Sequence, residues 1–598
     1  MSQLTMFKPS GSSLGGWRPP SELPEIAGKY DDVILDCETT GLDIWGKDKL
    51  AGIGVMARED KRRWYLPFGH EGGGNLDEEL VRRWARAELR DVHITNLNIK
   101  FDGHMMMKFG VDLEAQGCTF HELQHMAALT DEHRRSFKLD ALSQDNLKRR
   151  KKELPKGALP HQLSSYDVGE YNEIDLELVD ELIDFYNPLI QADDLERVLK
   201  LEDDLLFCVM AMERTGARLN VEKLRRWVDE IQLAYQDLIL YIWRETYLRV
   251  NPDSPQDMRK LYDHLHLKYG LTEAGNPSFS KEALAANEHP LIQAAFQARQ
   301  LASLNNKFLR KYLKAQRNGT LRYNLHQLRG DEYGTITGRF SASNVNVQQV
   351  MKPSKQPMVT WRWILRELFE PEPGCRWLSA DASQIEFRLF AHYANSQRLV
   401  RAYNENPWVD FHQMVTEMIR RVKPGYQRVY AKNFNFMKIY GGGRDRACAM
   451  LGLPRAEIDP LIDAYDAEFP EAGRLLRLAS RLAEKRRYVR THLGRRRRYR
   501  ELHDNRFYSA LNAVIQGTAA DVMKQKLIEV YRERKTLGIA RLRFPVHDEI
   551  CADVDSPERE NQIKDFLNMQ SFKFRVPIMW DVKLKDNWRC GWEPEEED

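Results

Sequence analysis

Residues 543–554, RFPVHDEICADV, place a histidine and two acids between two apolar, β-prone runs. This pattern predicts two strands joined by a tight turn at residues 547–549. Pro545 restricts one strand to an edge or an irregular position, because proline has no N–H to donate to the ladder. The hairpin would carry Asp548 at its tip, where a second carboxylate can meet it only with a shared cation or a proton.

Length and composition exclude several classes of protein. The 598 residues exceed what one hydrophobic core supports, so two or more domains are expected. No run of about eighteen apolar residues is present. Residues 1–27 are rich in Ser, Gly and Pro and lack the apolar centre of a secretory signal. We therefore expect a flexible N-terminal arm, no membrane span and a cytoplasmic location. The seven cysteines include no C-x-x-C pair, which argues against a disulfide framework or a zinc site.

Basic residues are clustered although the net charge is only +2. The run KRRKK at residues 148–152 is typical of a solvated face. Residues 486–500, RRYVRTHLGRRRRYR, contain eight arginines and no acid, and like charges this close repel unless a polyanion is near. We interpret this second run, which includes Arg496, as a segment that binds nucleic-acid phosphates with salt-sensitive, sequence-independent affinity.

The pattern of apolar residues changes near residue 190. Residues 28–192 alternate strand patterns with helical patterns, as α/β domains do. From residue 195 a helical pattern dominates, with an end at Gly216 and a Pro/Asn/Ser break at residues 251–257. Strands follow after about residue 325, then a helical middle, then strands again. The predicted fold class is a multidomain protein that combines α/β and α+β architecture.

Several acids in the first part of the chain are candidates for a metal site. The strand pattern of DVILDCETTGL turns Asp36 and Glu38 to one face, and paired carboxylates suit Mg²⁺ or Mn²⁺. Such a D-x-E pair alone is common at strand ends. Two further segments contain Asp102 and, at helical i, i+4 spacing, Tyr171 and Asp175. The alternative for the last pair is an ordinary amphipathic helix whose acids face water.

These three segments, in this order, resemble the three motifs of the DEDD-type 3′–5′ exonucleases, in the variant with a tyrosine in the third motif. The resemblance implies an RNase H-like domain that degrades single-stranded 3′ ends of DNA. It implies two metal ions that activate a water and stabilise the leaving 3′ oxygen, with Tyr171 orienting the water. The implied metal ligands are Asp36, Glu38, Asp102 and Asp175.

Two further segments carry a second set of candidates. In WLSADASQIEFRLFAHYA, Asp381 ends a strand pattern and Glu386 begins a helical one; the alternative for Asp381 is a helix N-cap. In RVYAKNFNFMKIYGGG, two cations and two aromatics recur every four residues and form one slowly turning stripe on a helix. Such a stripe suits a nucleoside triphosphate, with cations for the phosphates and rings for the base. Its members are Arg428, Lys432, Phe436 and Tyr440.

These two segments and the HDE turn, in order, resemble motifs A, B and C of the family A DNA polymerases, the DNA polymerase I group. Supporting segments are TITGRFSAS, DFH, GRRRRY and NAVIQGTAAD, and the resemblance covers about residues 30–590. It implies an exonuclease domain at 28–192 and a right-hand polymerase domain at 193–598. The implied subdomains are a thumb at about 193–330, a palm at about 331–398 and 500–598, and fingers at about 399–499.

The implied reaction is template-directed addition of dNTPs to a primer 3′-OH on two Mg²⁺ held by Asp381 and Asp548, with Mn²⁺ as a substitute. Proofreading would come from the exonuclease domain, whose acids would hold two further ions. Phe436 would pack on the incoming sugar and base, Tyr440 would guard the template position, and Glu386 would exclude a ribose hydroxyl at C2′. The implied phosphate contacts are Arg428, Lys432 and His412, and Lys432 would also protonate the leaving group.

The remaining candidates follow from the same resemblance. Gln384 would contact substrate, His547 would touch the primer end, Glu549 would support catalysis, and Arg496 would bind DNA phosphates. The minor groove of the newest base pairs would be contacted by Arg339, Asn512 and Gln516.

Two positions depart from the family pattern: Ala382 replaces the usual aromatic of motif A, and Met437 replaces the small residue expected after Phe436.

We expect a monomeric, phage-like replicase without a 5′-nuclease domain. Some phage relatives copy 2-aminoadenine genomes, so a modified template base stays open. The alternatives are a single-subunit RNA polymerase, which Glu386 and the exonuclease block disfavour, and a binding-only paralogue, which would lose some of the acids.

Overall fold

The computed structural model describes residues 16–155, 157–272, 274–353, 356–421, 424, 428–500 and 505–589. Residues 1–15, most of the predicted N-terminal arm, lie outside this part of the chain. A flexible arm is the wrong prediction for residues 16–27, because they pack on the first domain. The Trp17 indole N–H donates to Glu173 Oε1 at 2.8 Å, and the Trp84 indole N–H donates to the Pro24 carbonyl at 2.7 Å.

A five-stranded sheet with helices on both faces forms the described part of the first domain. Its elements are β1 Asp32–Thr39, β2 Leu50–Ala57, β3 Arg63–Pro67, α1 Glu78–Glu88, β4 His93–Asn96, α2 Ile99–Lys108, β5 Thr119–Glu122, α3 Leu123–Thr130, α4 Leu139–Asn146 and α5 Ser165–Ala192. The strand order is β3-β2-β1-β4-β5, antiparallel as far as β1 and parallel beyond it. The predicted α/β pattern of this region is confirmed.

Alternation along β1 decides which face each of its side chains meets. Val33 and Leu35 belong to the core that includes residues of α1 and α2, whereas Ile34 belongs to the core that includes residues of α3 and α5. Because strand side chains alternate, Asp36 and Glu38 share the face of Ile34 and lie towards α5. The predicted boundary at residue 192 coincides with the last residue of α5.

The next region is mainly helical, as predicted. Its elements are α6 Glu196–Asp204, α7 Leu206–Thr215, β6 Ala217–Arg218, α8 Val221–Thr246, α9 Pro255–His264, β7 Gly270–Leu271, β8 Pro277–Ser278, α10 Lys281–Ala285, α11 Pro290–Leu304, α12 Arg310–Ala315, β9 Thr320–Leu321 and β10 Asn324–His326. Gly216 ends α7 with a φ of 65°, a conformation that favours glycine, and α8 ends before the predicted break at 251–257. Part of this region forms a separate small core around Ile242 and Tyr262.

The rest of the chain surrounds an antiparallel sheet in the order β15-β16-β12-β17. The elements are β11 Ser341–Ser343, β12 Arg376–Ala382, α13 Ile385–Ala394, α14 Gln397–Glu405, α15 Phe411–Arg420, α16 Arg428–Ile439, α17 Arg444–Leu451, α18 Arg455–Glu468, α19 Pro470–Arg486, β13 Tyr488–Arg490, β14 Arg496–Arg498, α20 Ala510–Glu533, β15 Ile539–Val546, β16 Glu549–Val554, α21 Glu560–Asn568 and β17 Trp580–Lys585. Strand β15 lies at the sheet edge with register shifts, so the predicted irregular edge strand at Pro545 is confirmed.

One continuous apolar core joins the α5 face of the first sheet to this second sheet. It runs from Ile34 and Leu176 through Leu205 and Val209 to Phe544 and Trp588. The two sheets that carry the candidate acids therefore pack onto one common core.

Within the described residues, every helix is too short or too polar to cross a membrane.

Candidate active sites

The hairpin of residues 543–554 sets the motif A and motif C acids side by side. His547 has a φ of 55°, which closes the turn between β15 and β16. The N–H of Ala382, directly after Asp381 at the end of β12, donates to the Asp548 carbonyl at 2.8 Å. The helix-cap alternative for Asp381 is wrong, because α13 begins four residues later and its N-cap is Gln384.

Two cations contact these acids. Lys352 Nζ lies 3.1 Å from Asp381 Oδ2, and Arg339 Nη2 lies 3.8 Å from Asp548 Oδ1. Burial raises the pKa of Asp548 to about 6 despite the opposing effect of Arg339, and burial also raises the pKa of Asp381 despite Lys352. Both carboxylates therefore favour additional positive charge beside them.

Glu549 differs from its neighbour Asp548, because protein groups satisfy its carboxylate. Arg366 Nη1 donates to Oε2 at 2.9 Å, the Trp588 indole N–H donates to Oε1 at 3.0 Å, and the Ser379 hydroxyl also donates to Oε1. Although burial alone would raise it, the pKa of Glu549 is lowered by Arg366 and these hydrogen bonds. Glu549 is thus a buried, ionised group behind the turn, and its supporting role stays a prediction.

Helix α16 carries the predicted stripe of cations and aromatics, with Tyr440 one residue beyond its end. Arg428 begins the helix and donates through Nε to Asp410 Oδ2 at 2.8 Å. Lys432 is exposed one turn later. The rings of Phe436 and Tyr440 stack at 5.8 Å and 28°. The helical spacing of these four residues is confirmed.

Glu386 connects this stripe to the acids. Its carboxylate accepts from the Arg339 guanidinium, which also faces Asp548, and from the Tyr440 hydroxyl. Gln516 on α20 contacts the same Tyr440 hydroxyl. Asn512, one turn earlier on α20, has a buried Oδ1 without a hydrogen-bond partner among the described residues.

His412 is more deeply buried than a phosphate ligand would suggest. Its side chain accepts at Nδ1 from Asn435 Nδ2 at 3.1 Å, which places the proton of the neutral ring on Nε2. Burial lowers the pKa of His412 to about 4, so near neutral pH it offers an N–H and no charge. Gln384 Oε1 accepts from the Phe411 N–H at 3.0 Å and so ties the turn after β12 to α15.

A cleft of about 740 Å³ brings most of these predicted residues together. Its lining joins β12, the β15–β16 turn, α13, α15 and α16. The predicted residues in this lining are Arg339, Asp381, Gln384, Glu386, His412, Arg428, Lys432, Phe436, His547, Asp548 and Glu549. Tyr440, Asn512 and Gln516 lie beside it, connected through Tyr440 and Glu386, whereas Arg496 lines a different and much smaller cavity.

The arginine-rich run of residues 486–500 does not need a polyanion, so that part of the sequence argument is wrong. Acids from the first domain, the junction after α5, α6 and α20 supply the countercharge. The ion pairs are Arg490–Asp194, Arg495–Glu202, Arg495–Asp521, Arg496–Asp193, Arg497–Glu132, Arg498–Glu132, Arg498–Asp193 and Arg500–Asp131. Arg496 Nη1 lies 2.5 Å from Asp193 Oδ1, and its contact with DNA phosphates stays a prediction.

The acids predicted in the first domain also converge. Asn96 Nδ2 donates to Asp36 Oδ1 at 3.2 Å and to Asp102 Oδ2 at 3.0 Å. Asn172 Nδ2 donates to Asp36 Oδ2 at 2.8 Å and to Glu38 Oε1 at 3.3 Å. Asp36 is therefore the centre of the group, with its two neighbours bridged to it by amides.

Asp175 and Tyr171 complete this group from one face of α5, as the i, i+4 spacing predicted. The Lys151 ammonium contacts the Asp175 carboxylate and lies 4.4 Å from the centre of the Tyr171 ring. Burial raises the pKa of Glu38 to about 8, that of Asp175 to about 7, and that of Asp102 well above its usual range. The alternative of water-facing acids is wrong for Asp175, which is 3% exposed.

The donor sets at both sites fit divalent cations in their chemistry. They consist of carboxylate oxygens, the hard ligands that Mg²⁺ and Mn²⁺ prefer, and Asp175 Oδ1 is buried with no hydrogen-bond partner in the described part of the chain. As arranged in the described residues, no group of three or more histidine, cysteine or acidic side chains could hold a metal ion. Asn96, Asn172 and Lys151 contact carboxylate oxygens of the first-domain acid group, so a bound metal would share these carboxylates with them or displace them.

Sequence reasoning missed several residues at these sites. Asp410 caps α15 and holds Arg428; its position just before an apolar helical run is a readable N-cap signal. Lys352 and Arg366 have no such signal, because their acid partners are distant in sequence. Lys151 lies in the run interpreted as a solvated face, and that interpretation is wrong for this residue.

Two carboxylates at a hairpin turn that shares a cleft with a helix of cations and aromatics suit a two-metal transfer of a nucleotide's phosphoryl group. A sequence model of DNA polymerase family A matches residues 221–590. The chain belongs to DNA polymerase family A, as predicted.

Individual relatives agree with this assignment over nearly the whole chain. DNA polymerase DpoZ of Salmonella phage PMBT28 is 29% identical over 624 residues, covering 94% of this chain and 97% of that protein. DNA polymerase DpoZ of Acinetobacter phage SH-Ab 15497 is 27% identical and covers the same shares. The solved POL domain of Pol1 from M. smegmatis, in complex with DNA primer-template and dNTP, has a TM-score of 0.78 at 22% identity, with 94% of this chain and 96% of that chain covered. The predicted fold class is confirmed.

Proposed function

We propose that the protein is a template-directed DNA polymerase that adds dNTPs to a primer 3′-OH in the cleft between β12, the β15–β16 turn and α16. The observation that carries this proposal is the convergence of Asp381 and Asp548 with the α16 stripe in one cleft. The named DNA polymerases among its relatives support the same substrates.

Family A polymerases generally depend on divalent metals. We propose Mg²⁺, with Mn²⁺ as a substitute, held by Asp381 and Asp548. When bound, such ions lower the pKa of a coordinated hydroxyl and neutralise charge on the phosphates.

The chain's own groups orient the nucleotide. Lys432, exposed on α16, would bind the triphosphate and donate a proton to the departing pyrophosphate. Arg428 is fixed by Asp410 at the start of the same stripe, where its guanidinium would also contact phosphate oxygens. His412 would add a neutral Nε2–H donor.

The base and sugar would be selected on the other side of the cleft. Phe436 would pack on the incoming nucleotide, and Tyr440 would hold the template position through its bond to Glu386. Glu386, fixed by Arg339 as well, would exclude a 2′-hydroxyl. The Asn512 Oδ1, which has no partner among the described residues, would contact the minor groove together with Gln516.

We further propose a 3′–5′ exonuclease at Asp36, Glu38, Asp102 and Asp175, acting on single-stranded 3′ ends. These acids would hold two divalent ions, and Tyr171 would orient the attacking water. The convergence of all four carboxylates supports this activity.

Separate knockouts test both assignments in one primer assay. Asp381→Asn should lower extension more than about 100-fold while 3′ trimming remains, because even groups that only support metal ligands cost 10- to 100-fold. Asp36→Ala with Glu38→Ala should do the reverse. Asp581→Asn is the matched control, since Asp581 lies opposite Asp381 in the β12–β17 register and lines the same cleft. Extension by pure Asp381→Asn protein, or trimming by the double variant, would overturn the corresponding assignment.

The finer predictions belong to the same proposal. We propose that the protein acts as a monomer in the cytoplasm of a phage-infected host. A preference for a modified base such as 2-aminoadenine stays a prediction, for which competing dNTPs and modified dNTPs in the same assay are the test.

A further inference from the structure

Lys151 contacts the proposed nuclease site although it belongs to neither the sheet nor a helix. Its ammonium contacts the Asp175 carboxylate through Oδ2, and it lies 4.4 Å from the centre of the Tyr171 ring. The side chain of Asp175 is only 5% exposed and that of Lys151 28%. The ion pair is thus largely shielded from water on the carboxylate side.

The residues on both sides of Lys151 also contact α5. Arg149 forms ion pairs with Glu177 and Glu181 on α5, and Lys152 Nζ contacts Glu170 on the same helix. These surface pairs flank Lys151 on both sides along the chain. The segment therefore lies along α5, and Lys151 is the residue between these surface pairs that reaches the acid group.

A divalent cation and Lys151 use the same carboxylate. Asp175 Oδ2 is occupied by the ammonium, whereas the donors to the acid group from Asn96, Asn172, Tyr171 and the Cys37 backbone are uncharged. A charged donor in a shielded position binds a carboxylate much more strongly than an amide does. Asp175 Oδ1 has no hydrogen-bond partner among the described residues and is open to a metal, but the ammonium on Oδ2 would then lie beside the ion and repel it.

We propose that Lys151 competes with the metal for Asp175 and sets the divalent-ion concentration at which the nuclease site fills. Only the activity measurement below rests on the proposed exonuclease function. Lys151 is a positioning residue in this account, because it acts through Asp175 and Tyr171.

Direct metal binding tests the competition without any enzyme turnover. The full chain carries Asp381→Asn and Asp548→Asn, so that ions at the polymerase acids do not contribute, and bound Mn²⁺ is measured by electron paramagnetic resonance. Lys151→Met keeps the length of the side chain and removes its charge. It should lower the Mn²⁺ Kd about tenfold, which equals about 1.4 kcal/mol. Lys151→Arg should leave the Kd close to that of the parent.

Lys152→Met is the matched control, since it removes a neighbouring charge whose partner is the surface residue Glu170. Its Mn²⁺ Kd should not change. Thermal unfolding over a series of Mn²⁺ concentrations gives a second measure, because a ligand stabilises the folded state once its concentration exceeds its Kd. Stabilisation should begin at lower Mn²⁺ in the Lys151→Met protein.

Unchanged or weaker Mn²⁺ binding by Lys151→Met would overturn the proposal, as would an equal gain in Lys152→Met. With Asp381 and Asp548 intact, the Mn²⁺ midpoint for 3′ trimming should shift in the same direction as the Kd. If no form of the protein trims 3′ ends, the proposed exonuclease fails, while the binding measurement still decides the role of Lys151.

Discussion

The two acid groups differ in depth, and the difference follows from the elements that carry them. Glu38, Asp102 and Asp175 lie between β1, α2 and α5 and are each at most 7% exposed. Asp381 and Asp548 lie at the open end of a sheet, with side chains 39% and 28% exposed. Burial accordingly raises the pKa of Glu38 to about 8, but that of Asp548 only to about 6. Deeper carboxylates depend more strongly on added positive charge.

The same contrast occurs within the polymerase site. Glu549 is fully buried, and Arg366, Ser379 and Trp588 satisfy its carboxylate. Asp548, the preceding residue, faces the cleft, and within the described part of the chain its carboxylate contacts Arg339 at 3.8 Å. Glu549, whose carboxylate is hydrogen-bonded by protein groups, therefore lies directly beside Asp548, whose carboxylate faces the cleft. The contacts of Glu549 hold the turn that carries Asp548.

The largest effect is expected when the buried pair is broken. Arg366→Met leaves Glu549 buried without its cation, which should lower the free energy of unfolding by about 3–5 kcal/mol. Lys352→Met removes the cation of the half-exposed Asp381 and should change it by about 0–1 kcal/mol. Denaturant unfolding of both variants measures the difference. Equal losses of unfolding free energy in the two variants would show that Glu549 and Asp381 depend equally on their cation partners.

Local features of both sites were predictable from the sequence. The period-2 alternation of β1, the i, i+4 spacing of Tyr171 and Asp175, and the hairpin around Asp548 each depend on neighbouring residues. Motif resemblance added the grouping of these segments into two sites. Such signals are contiguous in the chain, so one sequence suffices to read them.

Partners that are distant in sequence were not predictable. Arg366 and Glu549 are 183 residues apart, and the arginines of 486–500 bind acids near residues 131, 193 and 202. An isolated run of charges predicts repulsion, but folding supplies countercharges that no local pattern indicates. Lys151 was misread for the same reason, since only the packing of its segment on α5 brings it to Asp175.

A smaller effect is expected at the third acid of the polymerase site. Glu386→Ala removes the carboxylate held by Arg339 and Tyr440, so space opens beside the incoming sugar. Use of ribonucleotides relative to dNTPs should rise about 10- to 200-fold, which is the range by which one methylene more or less in a substrate pocket changes selectivity. Single-nucleotide extension with matched rNTP and dNTP gives the ratio. Glu386→Gln, which retains the size of the side chain, is the control and should change the ratio little; unchanged selectivity in Glu386→Ala would rule out the steric role.

The smallest expected effect is a difference in pH dependence between primer extension and the proposed 3′ trimming. Carboxylates with raised pKa carry a proton below that pKa and then cannot bind a cation. At a subsaturating Mg²⁺ concentration, lowering the pH from 8 to 6.5 should protonate Glu38, with its pKa of about 8, and Asp175, at about 7, while Asp548, at about 6, remains mostly ionised. Trimming should therefore fall about tenfold relative to extension, since the ionised fraction of a carboxylate falls about tenfold for each pH unit below its pKa.

The stability of the fold should depend on the protonation of the same carboxylates, but it should decrease as the pH rises, whereas trimming should increase. Because the pKa of Glu38 is higher in the folded state than its usual 4.5, its proton stabilises the fold at low pH, and this contribution is lost as the pH rises towards 8. Without added metal, Tm should therefore decline between pH 5 and 8, and Mg²⁺ should restore it most at pH 8. Glu38→Gln removes the titrating group at this position and should reduce the decline of Tm between pH 5 and 8, to which Asp175 still contributes, while leaving the pH dependence of extension unchanged. A constant ratio of trimming to extension across this range would mean that depth of burial does not distinguish the two sites.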